Sequence, residues 1–137
     1  MTAIADRPVP ASGAPAVPPG LPHVDLLRLR DRLEPAERAR LDAIEDHLQT
    51  RVRPHLTRYW DAEEFAFDLL PGLAELGLGR LVLDGSSSLF QQLVHAEIAR
   101  VDLSLSALVG IHNELNLGMI AHLGSDAHRD RWQARLE

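Results

Sequence analysis

The stretch Leu103–Leu123, LSLSALVGIHNELNLGMIAHL, decides the fold class of this 137-residue chain. Its apolar residues fall on nearly every side of a helix, a pattern typical of a central helix that other helices surround. Four polar residues near its middle, His112, Asn113, Glu114 and Asn116, argue against a membrane span. The stretch therefore predicts an all-α protein built around this helix.

A helix end and a helix start follow this stretch within two residues. Gly124 suits the left-handed position after a helix end, and Ser125 suits the N-cap of a fifth helix. Asp126 places a negative charge in the positive first turn of that helix. Because so well-defined a helix starts close to Glu137, we expect further structure downstream of this chain.

Two earlier helices are predicted from apolar residues spaced three and four apart. The first begins near Pro35, where a helix tolerates proline, and ends at Pro54. The second covers Ala62–Leu76, and the glycines within 77–79 end it. Pro71 lies inside this second helix and is expected to kink it.

A third helix is predicted over Ser88–Val101, with Ser86 or Ser87 as its N-cap. No apolar alternation with a period of two persists beyond a few residues, and the chain has no internal repeat. The predicted fold is therefore an all-α bundle of about five helices.

The first 23 residues form a segment of different composition. Six of the nine prolines of the chain lie within residues 1–22, and each removes a backbone donor and disfavours helix in the residue before it. We therefore expect a disordered Pro/Ala-rich leader over 1–23 and a helical domain over 24–137. The leader lacks the apolar core of a signal peptide, which favours a cytoplasmic protein.

The composition excludes several classes of function. The chain has no cysteine, which rules out disulfides, thiolate metal sites and cysteine nucleophiles. Its net charge of −6 argues against non-specific binding to nucleic acid or to an anionic membrane. All fourteen cationic residues are arginine, which is a feature of codon usage rather than of chemistry.

Seven histidines and twenty acidic residues raise the question of a metal site. A di-iron bundle needs Glu-x-x-His pairs, and none occurs here. His112 and Glu114 are two residues apart and point in nearly opposite directions on a helix, while His112 and His122 diverge around its axis. We therefore predict no metal site.

Glu97 lies on the same helix stripe as Leu93, Val94 and Val101, so its carboxylate must be paired. It could be an internal tether, with Arg100 one turn away, or a general base with a raised pKa. The tether is favoured because no nucleophile, second acid or oxyanion feature accompanies it. The residues alone thus predict no catalytic and no cofactor-binding side chain.

Two further motifs have ordinary explanations. The loop DGSSS over 84–88 lacks the lysine and the glycine spacing of a phosphate-binding loop, so a turn and a helix cap are favoured. The stretch HRDRWQAR over 128–135 combines arginines with Trp132, as nucleic-acid binders do. In an acidic chain it favours an exposed helix face with Trp132 packed inward.

Five stretches, in order, resemble the N-terminal helical domain of acyl-CoA dehydrogenases, and most closely the glutaryl-CoA dehydrogenase-like branch. The resemblance extends over about Glu34–Leu136 and depends on the following residues: Phe65 (with Ala66 in place of the family's proline), LAELGL at Leu73–Leu78, EIARVD at Glu97–Asp102, the apolar helix that follows, and GSDAHRDRW at Gly124–Trp132. After the tryptophan the family commonly continues with Leu-Pro, whereas this chain has QARLE.

The resemblance implies an FAD-dependent enzyme. In the family, a middle β-barrel domain that binds most of the FAD follows this domain, and a C-terminal helical bundle then carries the catalytic glutamate in most branches. This chain ends at Glu137, so the resemblance implies truncation before the FAD-binding domain. FAD is accordingly expected in the complete family enzyme and is not expected to be retained by this chain alone.

The resemblance also implies two residues of the substrate pocket. Ser106 and Gly110 match the positions of the family that face the acyl chain of an acyl-CoA thioester. Glutaryl-specific members have an arginine near the first position and a serine near the second, and this chain has neither. A dicarboxylic thioester is therefore disfavoured as substrate.

Two functions follow. The first is an N-terminal domain or fragment of an FAD-dependent oxidoreductase acting on CH–CH groups of acyl thioesters, which lines the acyl pocket and supports assembly. The alternative is a non-catalytic helical interaction module that pairs with a full-length homologue. In either case we expect a homo-oligomer or association with missing domains, through an exposed apolar patch to which Trp132 and Leu136 contribute most.

Overall fold

The computed structural model describes residues 25–136, without the side chain of Ala134, and in this range it contains helices and no strand. A short 3-10 helix, Leu29–Arg32, precedes α1, Pro35–His47. Glu34 is extended and Pro35 takes the first helical position, where its missing N–H costs nothing. The all-α prediction is confirmed, whereas the leader predicted over 1–23 lies outside the described residues.

The first helix runs past its predicted end. A π-helical turn, Leu48–Val52, joins α1 to α2, Arg53–Ala62, so the helical path continues beyond Pro54. Prolines end helices because they lack a donor and clash with the preceding turn. Here Pro54 follows the π-helical turn and lies in the first turn of α2, where the hydrogen-bond pattern changes from π to α. The helix therefore continues through the proline.

The second predicted helix is wrong over its first half. Ala62 ends α2, and Glu63 has a left-handed backbone with φ of 56°. A 3-10 helix, Phe67–Leu69, leads into the short α3, Leu70–Glu75, and a second 3-10 segment covers Leu78–Leu83. Pro71 lies in the first turn of α3 and therefore starts a helix instead of kinking one.

The third helix has the predicted bounds: α4 spans Ser88–Val101, and Ser87 is its N-cap. The Ser87 hydroxyl oxygen accepts a hydrogen bond of 3.1 Å from the amide of Phe90. Asp102 ends α4 and at the same time caps α5, Leu103–Gly110, by accepting from the amide of Leu105 at 2.8 Å. One residue therefore fixes the angle between two packed helices.

The helical path that starts with α5 is continuous to Leu123, through a π-helical segment, Ile111–Gly118, and α6, Met119–Leu123. The expectation that other helices surround it is wrong. One side faces the core through Leu105, Val109 and Leu117, whereas the opposite side is exposed among the described residues. The buried Asn113 ties this helix to the 3-10 segment Leu78–Leu83, with its amide donating to the carbonyl oxygen of Leu78 at 2.7 Å and accepting from the amide of Val82 at 3.2 Å.

The fifth predicted helix starts where expected but for a different reason. Ser125 is the N-cap of α7, Asp126–His128, and a π-helical turn, Arg129–Gln133, continues into α8, Ala134–Leu136. Gly124 is extended, with φ of −70° and ψ of 149°, and not left-handed. Glycine is needed there because a Cβ atom would collide with the carbonyl oxygen of Ile120.

The core lies between α1 and its continuation, α4, and the inner side of α5. Its residues are spaced three and four apart on each helix, as an amphipathic bundle requires. The fully buried side chains include Leu41, Ile44, Leu48, Val52, Leu78, Leu81, Phe90, Val94, Ile98, Leu105 and Leu117.

Candidate functional site

The start of α5 is held against α2 and α4 through Asp102. One carboxylate oxygen of Asp102 accepts from the Leu105 amide, and the other accepts from the indole Nε1 of Trp60 at 3.0 Å. Both oxygens of this buried side chain are therefore satisfied, as a buried carboxylate requires. The next turn of α5, which contains Ser106, is positioned by this arrangement.

Ser106 and Gly110 lie one turn apart on the side of α5 that faces α4. The Ser106 hydroxyl donates to the carbonyl oxygen of His95 at 3.2 Å and is nearly buried. A Cβ atom on Gly110 would lie 3.5 Å from Cε1 of the His95 ring, which is ordinary contact. The two predicted pocket residues thus share one neighbour, His95, and their role toward an acyl chain stays a prediction.

An acidic side chain, Glu114, lies near Gly110. Glu114 lies one turn further along the helix, and its Oε1 is 3.8 Å from Nε2 of His95. The pair is ionic only when the imidazole is protonated, and Glu114 is exposed. A carboxylate-bearing ligand would therefore meet a like charge at this end of the Ser106–Gly110 face.

Glu97 is a buried tether, as predicted, but with a second partner that the sequence did not reveal. Its Oε2 is 2.5 Å from Nη1 of Arg100, and its Oε1 is 3.3 Å from Nη1 of Arg30. Arg30 also binds Asp42 at 2.8 Å and Glu45 at 3.1 Å on α1. The cluster joins the 3-10 helix Leu29–Arg32 to α1 and α4, which is a structural role.

The electrostatics of this cluster explain why a guanidinium can be buried there. Burial alone would lower the pKa of Arg30, but the hydrogen bond and charge of Glu45, the hydrogen bond of Asp42 and the charge of Glu97 outweigh it and raise the pKa above its usual value. The arginine therefore stays charged, and its positive charge is paired with the carboxylate of each partner.

An apolar groove lies on the other side of α5. It has a volume of about 190 Å³ and is lined by Leu70, Leu73, Ala74, Leu78, Gly79, Leu108, Val109 and His112. The only polar side chain in this lining is His112, whose Nε2 donates to the carbonyl oxygen of Leu136 at 2.9 Å. Sequence reasoning missed this groove because its two walls, α3 and α5, are far apart in the chain and α3 was predicted as part of a longer helix.

The exposed apolar surface lies on the α5–α6 path rather than on the last helix. Leu103, Ile111, Leu115, Met119 and Leu123 are each at least half exposed. Trp132 is 39% exposed instead of packed inward, with the guanidinium groups of Arg131 and Arg135 over its ring, and Leu136 is half-buried. The expected patch is therefore present, but its main contributors differ.

The loop over 84–88 does not fit a phosphate. Three of its donors are used by carboxylates: Ser86 donates its amide to Asp84 at 2.9 Å, and Ser87 donates its amide and hydroxyl to Glu37 at 2.6 and 2.9 Å. The pyrophosphate of FAD would meet two anions there. The favoured interpretation as a turn and helix cap is confirmed, and no step involving FAD is assigned to this loop.

Within residues 25–136, no group of three or more His, Asp or Glu side chains is placed so that it could hold a metal ion. Within the same range, no helix is long and apolar enough to cross a membrane.

The comparison with protein families agrees with this helical architecture. The family described as acyl-CoA dehydrogenase, N-terminal domain, matches residues 34–136, which is most of the chain and nearly all of its described part. Members of this family depend on FAD in general. By this match and by its all-helical fold, the chain belongs to the acyl-CoA dehydrogenase family, of which it carries the N-terminal domain.

Proposed function

We propose that this chain is the N-terminal domain of an FAD-dependent oxidoreductase that acts on CH–CH groups of acyl thioesters. The observation that carries the proposal is the family match over residues 34–136 together with the helical fold. The domain lines one side of the acyl pocket and supports assembly, while flavin binding and proton removal belong to other parts of the enzyme. Its acidic residues described above are engaged in structural contacts, which fits this division.

In the proposed function, Ser106 and Gly110 form the part of the domain that faces the acyl chain. Both are small and lie one turn apart on α5 next to His95, so a longer side chain at either position would narrow this face. The Ser106 hydroxyl is already used by the main chain of His95. With Glu114 nearby and no cation at these two positions, the face suits an uncharged acyl chain better than a dicarboxylic one.

The alternative is a non-catalytic helical module that pairs with a full-length homologue. The observation that favours it is the exposed apolar side of α5 and α6, which offers an interaction surface without any catalytic group. Both functions require association, so association alone does not discriminate between them. Catalytic turnover discriminates between them, because only the enzyme domain supports it.

The test is complementation. The chain is co-expressed with the middle and C-terminal domains of an acyl-CoA dehydrogenase, and acyl-CoA-dependent reduction of a dye is measured for saturated and dicarboxylic thioesters. We expect activity that depends on the chain and favours the uncharged substrate. A stable complex without activity would favour the interaction module, and the absence of both would contradict the proposed domain role.

The pocket assignment has its own matched pair of variants. Gly110→Leu fills the Ser106–Gly110 face, and Gly79→Leu fills the apolar groove across α5, where the glycine Cβ direction is open. We expect Gly110→Leu to raise KM for long acyl chains in the complemented enzyme with little change for short ones, and Gly79→Leu to leave both unchanged. A raised KM for Gly79→Leu and an unchanged KM for Gly110→Leu would instead place the acyl chain in the groove.

A further inference from the structure

The imidazole ring of His95, on α4, fills the space next to Gly110 on α5. A Cβ atom at Gly110 would lie 3.5 Å from Cε1 and 3.9 Å from Nδ1 of this ring. Apart from the chain neighbours of Gly110 and the backbone of its own helix, no other described residue has an atom within 4 Å of that position. The side chain of His95 is 17% exposed, so the ring is packed against α5 instead of extending into solvent.

Contacts on both sides of Gly110 position this ring along α5. One turn before Gly110, the Ser106 hydroxyl donates to the carbonyl oxygen of His95 at 3.2 Å and thereby fixes the main chain from which the ring projects. One turn after Gly110, Oε1 of Glu114 lies 3.8 Å from Nε2 of the ring. The imidazole is therefore held at one defined point of the Ser106–Gly110 face.

We propose that His95 is a specificity-determining residue, whose imidazole forms the wall that limits the length of the acyl chain at Gly110. The inference rests on the proposed function, in which the acyl chain lies along the Ser106–Gly110 face. Gly110 has no side chain with which to form a wall, and the ring of His95 takes that place. A chain that reaches Gly110 meets this ring before it can pass between α4 and α5.

The limit set by His95 is steric. Glu114 lies one turn beyond Gly110 with a side chain that is 57% exposed, and an uncharged acyl chain has no charged group on which it could act. The imidazole, in contrast, occupies volume between the helices. Its truncation to a methyl group leaves a space of a few methylene groups, and each methylene of the ligand that is buried there raises kcat/KM about fourfold.

His95→Ala tests this wall. The variant is co-expressed with the middle and C-terminal domains, and kcat/KM is measured for saturated straight-chain thioesters of increasing length. We expect the length at which kcat/KM stops rising to move to longer chains, with a gain of about fourfold for each methylene admitted and no change for short chains. His122→Ala, the same change at an exposed position on α6, is the matched control and keeps the wild-type profile.

His95→Phe separates the size of the ring from its pairing with Glu114. A phenyl ring keeps the bulk of the imidazole but has no nitrogen to pair with the carboxylate, so we expect the length limit of the wild type. A limit that moves as far in His95→Phe as in His95→Ala would show that the pairing and not the bulk sets it, and would overturn the proposal.

The double variant His95→Ala/Gly110→Leu exchanges the two sides of the contact. Gly110→Leu alone directs a branched side chain against the imidazole and is expected to shorten the limit. With His95 truncated, the leucine side chain takes the place of the ring, and we expect the limit to return to that of the wild type. Because the space is refilled, this variant tests the proposal even where His95→Ala alone does not fold. A double variant with the limit of Gly110→Leu would overturn it.

Failure of this inference is distinguishable from failure of the proposed function. Activity with the wild-type chain, together with an unchanged length limit in folded His95→Ala, overturns the role of His95 and leaves the proposed function intact. Absence of activity with the wild-type chain contradicts the proposed function, and the role of His95 falls with it.

Discussion

Arg30 and Glu97 are 67 residues apart in the chain, and the Nη1 atom of Arg30 lies 3.3 Å from Oε1 of Glu97 in the interior. This contact connects the first described helical turn to the middle of α4. Arg100 shares the same carboxylate from the next turn of α4. The contact thus determines how the start of the domain is fixed to the bundle.

Glu97→Ala is expected to destabilise the domain. It leaves Arg100 and the buried Arg30 without one of their carboxylate partners, and an unsatisfied buried polar group costs about 1–3 kcal/mol. Urea unfolding followed by circular dichroism measures the change. Glu114→Ala is the matched control, because its exposed pair with His95 contributes less than about 1 kcal/mol. Equal stability of the two variants would show that Glu97 is not a tether.

Arg30→Lys is expected to loosen the 3-10 helix Leu29–Arg32 while leaving α4 intact. An ammonium group cannot reach Asp42, Glu45 and Glu97 together in the planar arrangement that a guanidinium offers. Hydrogen exchange of the amides in this segment, measured by mass spectrometry, is expected to become faster. Arg28→Lys, whose pair with Asp31 is exposed, serves as control and keeps the wild-type exchange.

The stability of the domain is expected to fall in acid, partly through Asp84. Burial alone would raise its pKa, but hydrogen bonds from Ser86 and Arg40 outweigh this effect and hold the pKa below its usual value. A lowered native pKa contributes stability above the unfolded value, about 3.9, and this contribution is lost as the pH falls through the native pKa. Urea unfolding from about pH 5 to pH 2 should therefore show a shallower decline for Asp84→Asn. The exposed, non-titrating change Asn116→Ala should keep the wild-type curve.

The purified chain is expected to lose FAD on gel filtration. Glu37 and Asp84 already accept the donors of the loop over 84–88, and the family match covers only the N-terminal domain. The absorbance of the eluted protein near 450 nm measures retention. A stoichiometric flavin spectrum would show that this domain holds the cofactor by itself.

The helix bounds were predictable where capping residues and apolar spacing agree. α4 has both, with Ser87 at its start and Asp102 at its end, and its predicted range is the observed one. The predictions at Pro54 and Pro71 were wrong because the effect of a proline on a helix depends on its position within the helical turn. Pro54 follows a wide turn and Pro71 starts a helix, and neither situation is visible from the proline alone.

The candidate site was predictable only in part, because it depends on contacts between distant segments. The pairing of Glu97 with Arg100 is local and was predicted, whereas Arg30 comes from another part of the chain. The four polar residues in the apolar helix argued against a membrane span, and no helix within residues 25–136 is long and apolar enough to cross a membrane. That Asn113 is buried and joins two segments requires the tertiary structure.

The wide turns of Ile111–Gly118 allow the helix to absorb a difference in length. Each residue of a π turn rotates less about the axis than the roughly 100° of an α-helical residue, so closing this segment to an ordinary α-helix would largely compensate for the loss of one residue. The contact between the carbonyl of Leu136 and His112 depends on the direction in which the chain leaves this segment. A one-residue gap at this position in a relative is therefore compatible with a similar exit direction from the domain.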